Sequence, residues 1–175
     1  MSKNPFVQIE GVSDVLLVVL YAGGKVKVVN EEIVGTTRLV KMMFILAKET
    51  SFRQHLQDRF VASENGPYSK EVLDAIVDLI DQKFVSVVKA PPSDASEEAD
   101  RYRFEAECEV EGETPKETVV YSLTQTGKGA GSVLYESLDD HERTELNVVK
   151  KRFNAMDIKL MVNYIKDKYP GFVKK

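Results

Sequence analysis

Asn65-Gly66-Pro67-Tyr68-Ser69-Lys70-Glu71-Val72 reads as a turn, a cap and the first turn of a helix. Gly66-Pro67 breaks whatever precedes it. Ser69 has a short side-chain oxygen that can accept from the free N–H groups of a helix starting at Lys70. Glu71 then lies near the positive end of the helix dipole. Val72, Ile76, Leu79 and Ile80 recur at spacings of three and four, which predicts a buried stripe on a helix running to about Lys83. The positions left outside are Lys70, Glu71, Asp74, Asp78, Asp81, Gln82 and Lys83, four acids against two bases.

Upstream of that helix, residues 13–23 predict a helix with Ser13 or Asp14 as cap and Gly23-Gly24 as stop. Val15 to Leu20 is apolar all round, so this helix belongs in the core. Lys25-Val26-Lys27-Val28 alternates and predicts a short strand. Residues 36–49 predict a second helix, with Leu39, Met42, Met43 and Leu46 as its apolar stripe and Arg38, Lys41 and Lys48 off it. Arg59 to Ala62 reads as a further short strand.

Downstream, Phe84 to Val88 is a β-rich run, and Ala90 to Asp100 is a polar loop. In 101–111, Tyr102, Phe104, Ala106, Cys108 and Val110 alternate with Arg103, Glu105, Glu107, Glu109 and Glu111, the period of a strand. Gly112 to Lys116 turns, and Thr118 to Leu123 returns as the hairpin partner. Thr124 and Thr126 precede a helix over about 127–138; two more are expected over about 140–154 and 157–168. Asp157 caps the last and Pro170-Gly171 ends it. The order helix, short strand, helix, helix, strand, strand is that of an α+β winged helix-turn-helix with an extended β-hairpin wing and additional C-terminal helices. The expected division is a winged-helix domain over 1–126, its long acidic wing at about 84–123, and a helical extension over 127–175 packed on it.

Three phrases of the chain, and its tail, resemble a known family. Thr37-Arg38-Leu39-Val40-Lys41-Met42-Met43-Phe44-Ile45-Leu46 resembles the "R-x-x-L-Q-K-hydrophobic-hydrophobic-hydrophobic-L" segment of YwgA-like proteins, a family of uncharacterised winged-helix proteins. Asn65 to Val72 resembles their "Y-G-P-Y-S-x-E-L", with Asn65 where an aromatic often stands. Tyr121-Ser122-Leu123-Thr124-Gln125-Thr126-Gly127 resembles their closing "Y-x-L-T-x-x-G", and the tail from Tyr164 to Phe172 is similar to the "Y-I-Y-x-K-Y-P" ending of some relatives. That family is in turn distantly similar to the SocA-like (Panacea) antitoxin-associated domain. The resemblance implies a non-enzymatic role: neutralising a toxin, or adapting a client for proteolysis.

Composition narrows the classes. The 175 residues carry a formal net charge of −4, with no global pull toward nucleic acid or anionic lipid. The longest apolar stretch, Val15 to Ala22, is far short of the roughly 20 residues of a membrane span. The N-terminus lacks the basic and apolar regions of a signal peptide, and the single cysteine, Cys108, rules out an internal disulfide. A cytoplasmic protein is the expectation. Catalysis finds no support: His55 and His141 stand in no metal-ligand spacing, and Cys108 falls on the apolar strand face as an inert thiol. Gly127-Lys128-Gly129-Ala130-Gly131 lacks the phosphate-loop spacing and reads as a helix start. No cofactor and no metal are expected, and the protein is not expected to be an enzyme.

Charge is distributed unevenly. From Pro91 to Thr118 ten acids face three bases. Glu105, Glu107, Glu109 and Glu111 share one strand face about 7 Å apart. Such a row blunts edge pairing, or meets a basic partner. From Asn147 to Lys175 the balance reverses, eight bases against two acids. An acidic third helix meets phosphate repulsion in a DNA groove, which leaves a solvated face or a protein-binding face. The first expectation is therefore a regulatory or adaptor protein whose partner is another protein. Its contact candidates are Asp74, Asp78, Asp81, Glu105, Glu107, Glu109 and Glu111. The alternative is a DNA-binding transcriptional regulator using Arg38, Lys41, Lys150, Lys151, Arg152, Lys159 and Lys166.

Overall fold

Val15 to Leu20, six consecutive residues of the first helix, are all buried, and the helices at 70–81 and 125–137 pack against that helix. The computed structural model describes residues 6–89 and 119–174. It is an α+β arrangement; among the described residues there are seven helices and two small antiparallel sheets. In chain order they are α1 (Val12–Tyr21), β1 (Ile33–Val34), α2 (Thr36–Glu49), α3 (Arg53–Leu56), β2 (Val61–Ser63), β3 (Gly66–Tyr68) and α4 (Lys70–Asp81). Then come β4 (Val85–Lys89), β5 (Val119–Leu123), α5 (Gln125–Ser137), α6 (Asp140–Asn154), α7 (Ile158–Lys168) and a 3-10 turn, Pro170–Phe172.

The larger sheet runs β1-β5-β4, with Ile33 opposite Tyr121 and Val85 opposite Leu123. These four residues are buried, whereas Val87 and Val88 face solvent. One sheet face thus closes the core. The Tyr121 hydroxyl lies 2.6 Å from Thr36 Oγ1, tying the middle strand to the first turn of α2. The smaller sheet is the β2–β3 hairpin. Gly66 within it holds φ +104°, a conformation that side chains with a Cβ rarely adopt.

Caps at Ser69, Thr124 and Asp157 are local and expected, whereas the cap expected for α1 fails: α1 begins at Val12 after Gly11, without a side-chain cap, and Ser13 and Asp14 lie inside it. Ser69 Oγ accepts from the Val72 amide at 3.2 Å, Thr124 Oγ1 from Gly127 at 3.0 Å, and Asp157 from Lys159 at 2.8 Å. Asp139 and Glu142 form a reciprocal capping box at the start of α6. The glycine-rich segment is indeed a helix start, and two of its glycines, Gly127 and Gly131, are packing sites. A Cβ at Gly127 would lie 1.9 Å from the Phe84 carbonyl oxygen, and one at Gly131 would press on Tyr21. Small residues here let α5 lie directly on α1 and on the entry to β4.

Besides the α1 cap and the partner of residues 119–123, which is β4 rather than the 101–111 run, three expectations are corrected. Lys25 to Val28 is a turn, not a strand. The Val26 and Lys27 amides donate to the Glu31 carboxylate at 2.7 and 3.0 Å instead of to a neighbouring strand, and Val26 and Val28 point into solvent. The first strand is Ile33–Val34. Second, the expected element order passes directly from the second helix to the third, whereas residues 50–69 hold α3 and the β2–β3 hairpin. Third, α2 is buried nearly all round, so Lys41 does not lie on an outer face. The polar loop and the strand expected over 101–111 lie outside the described residues, and with them the glutamate row and Cys108.

Candidate functional site

The outward face of α4 is the site the fold presents most plainly. Val72, Ala75, Ile76 and Leu79 face the core, while Ile80 is only half-buried. The helical period then turns Glu71, Asp74, Val77, Asp78 and Asp81 outward as one strip, and all are exposed. Glu71 pairs with Arg59, and Asp74 pairs with Lys70 at 3.2 Å. Asp78 and Asp81 make no ion pair among the described residues. Val77, 53% exposed, stands between them as an apolar point in an acidic strip.

Asp78 and Asp81 also occupy the last turn of α4, which holds no basic residue. Carboxylates there oppose the negative end of the helix dipole, each at a cost of about 0.3–1 kcal/mol. Among the described residues neither carboxylate gains an ion pair in return for that cost. Acids retained where they destabilise their own helix fit a surface that serves something outside the chain.

The basic candidates divide in two, and three of them are corrected as surface contacts. Lys41 is fully buried, and its ammonium donates to the Pro67 carbonyl at 2.7 Å beside Gly66. Lys150 is also fully buried. Its Nζ donates to the carbonyls of Val19 and Glu31, the latter at 2.7 Å, and so closes the free C-terminal end of α1. Burial pushes this lysine down to about 7, against the opposing pull of Glu31 and Glu32. Arg38 is half-buried, and its guanidinium donates to Phe153 O and Met156 O, both at 2.7 Å, and to Val34 O at 3.2 Å. It caps the end of α6 rather than reaching outward.

Lys151, Arg152 and Lys159 are exposed and Lys166 is half-exposed, on α6 and α7. The Arg152 guanidinium stacks over the rings of Phe153 and Tyr164 at 4.8 and 4.9 Å. The basic surface is therefore smaller than composition implies, and it is not joined to α4's outer strip by Lys41 or Arg38.

Two interior networks escaped the sequence reading. In the first, the Glu31 carboxylate accepts from Asn154 at 2.6 Å and from the Val26 and Lys27 amides. Burial pushes its pKa up, but these donors and Lys150 together hold it below the usual range. In the second, Glu49 Oε1 accepts from Tyr164 at 2.8 Å, Lys168 at 3.0 Å and Tyr169 at 2.9 Å, joining α2 to the chain's last helix. Burial and the bond to Glu49 push Tyr169 up to about 12. A signal for Lys150 did exist: Leu146, Val149 and Phe153 form a helical stripe into which position 150 falls.

Among the described residues no three His, Cys, Asp or Glu side chains are placed to hold a metal ion, and no helix is long and apolar enough to cross a membrane. No family model, characterised protein or solved structure matches the chain.

Proposed function

We propose that this chain is a winged-helix adaptor or regulatory protein without catalytic activity, and that it docks a protein partner on the outer strip of α4. The carrying observation is that strip: Asp74, Asp78 and Asp81 around the exposed Val77, two of the acids unpaired and set against their own helix dipole. The partner that fits is a basic segment with an apolar residue to cover Val77. The winged-helix reading rests on the element order and on the β1-β5-β4 sheet, with the hairpin β2–β3 inserted between the second and third long helices. The likeness to YwgA-like proteins, and through them to antitoxin-associated domains, favours the same class of role.

Burial of Lys41 and Lys150 counts against the alternative, a DNA-binding regulator. That reading keeps only Lys151, Arg152, Lys159 and Lys166, on the far helices.

The test is affinity capture from native lysate with the wild type and with Asp74→Asn, Asp78→Asn and Asp81→Asn combined. Removing acids at the end of α4 is expected to leave the isolated protein as stable as wild type, or more stable by about 0.3–1 kcal/mol for each of the last two changes. Partners held by the wild type are expected to be lost from the variant and released by salt. An identical partner set on both proteins would overturn the proposal.

A further inference from the structure

We propose that a cavity formed by the end of α2, α3, the 57–60 turn and the C-terminal 3-10 turn binds a small aromatic anion, an aryl phosphate or aryl carboxylate. The cavity has a volume of about 370 Å³. That lies in the range of small-molecule sites, roughly 300–1,000 Å³. Its walls carry Lys48, Arg53, Asp58, Phe60 and Phe172.

The aromatic floor is rigid. Phe60 and Phe172 each meet the buried Phe44 edge-on, at centroid distances of 5.3 and 4.9 Å. Phe172 is held in place because Val173 bridges to Ser63 and the Lys174 amide donates to Ser63 O at 2.9 Å. Residues 172–174 thus close one side of the cavity through this bridge to β2.

Neither cation of the wall is held in an ion pair among the described residues. Lys48 is only part-exposed, and its ammonium makes no ion pair among the described residues; it lies 4.7 Å from the Phe172 ring centre and 5.8 Å from that of Phe44. Arg53 spends one N–H group on the Lys48 carbonyl at 3.0 Å, which brings its guanidinium to the same wall. Two cations beside two fixed rings suit a ligand whose anionic head meets Lys48 and Arg53 while its ring packs on Phe60 and Phe172. Asp58 is the one acid on the wall, and it opposes that head. This site is separate from α4 and does not depend on the proposed docking role.

The probe is phenyl phosphate, titrated into the full chain by calorimetry, with inorganic phosphate and benzyl alcohol as controls. Saturable binding is expected for phenyl phosphate, tighter than for either control. Lys48→Met and Arg53→Gln are each expected to weaken it about tenfold, the loss of one charge-assisted hydrogen bond. Asp58→Asn is expected to tighten it severalfold, an effect that a merely structural role of Asp58 would not produce; asparagine suits its φ of +60°. Should Lys48→Met fail to fold, the exposed positions 53 and 58 carry the test. No saturation, equal affinity for inorganic phosphate, or folded Arg53→Gln and Asp58→Asn variants that bind as the wild type does would each overturn the proposal.

Discussion

Replacing Lys150 by Met is expected to abolish a rise in stability that the wild-type protein gains as pH climbs from about 7 toward 10.5. Burial depresses this lysine in the folded protein to about 7, whereas in the unfolded chain it titrates near 10.5. Between those values the unfolded state binds a proton that the folded state does not. Stability therefore increases with pH across the window, by up to about 1.4 kcal/mol per unit. The geometry agrees: a neutral amine has two N–H groups, and the Val19 and Glu31 carbonyls take both. Glu31 and Glu32, the carboxylates that face it, are held below their usual range and stay ionised throughout. Tyr169, raised to about 12, destabilises only above its ordinary value of 10.0. Methionine keeps the bulk but leaves two buried carbonyls without a donor, at about 1–3 kcal/mol each. The gap between variant and wild type should widen with pH in urea melts; parallel curves would place Lys150's amine in water.

Gly127→Ala should be the most damaging single methyl in the chain's second half, and Gly129→Ala, two residues on, should not harm it. An alanine Cβ at 127 would meet Phe84 O at 1.9 Å, a backbone atom that also accepts from the Thr124 amide at 3.0 Å. Relief requires α5 to lift from β4, which disturbs the Thr124 cap as well. A loss of about 3 kcal/mol or more is expected. At Gly129 the added Cβ meets nothing within 4 Å, so helix propensity alone acts and should stabilise by about 0.5–1 kcal/mol. Thermal melts of the two variants should move in opposite directions. Equal shifts would mean that α5 does not lie on Phe84.

What could be read from residues alone was whatever depends on near neighbours. The six apolar residues of α1, the bounds of α2 and α6, and the caps at Ser69 and Asp157 follow from spacing and side-chain reach along the chain. The acidic strip of α4 was legible for the same reason, since a period of 3.6 alone puts Asp74, Asp78 and Asp81 together. What failed depended on distant partners. Lys25 to Val28 alternates like a strand, but Glu31 captures its amides, and Glu31 is held in turn by Asn154, more than a hundred residues away. Lys41 and Lys150 look like surface charge until the carbonyls of Pro67, Val19 and Glu31 are brought to them by the fold. A buried lysine between apolar neighbours is the pattern to weigh against a basic footprint.

The fold turns the acidic strip of α4 outward and draws Lys41 and Lys150 out of the basic surface, so that the surface does not suit a polyanion. Fluorescence anisotropy of a random-sequence DNA duplex, titrated with the full chain at low ionic strength, tests this most directly. No association is expected even where phosphate attraction is strongest. Binding that weakens steeply with added salt, and that disappears on Lys151→Gln with Arg152→Gln, would contradict it.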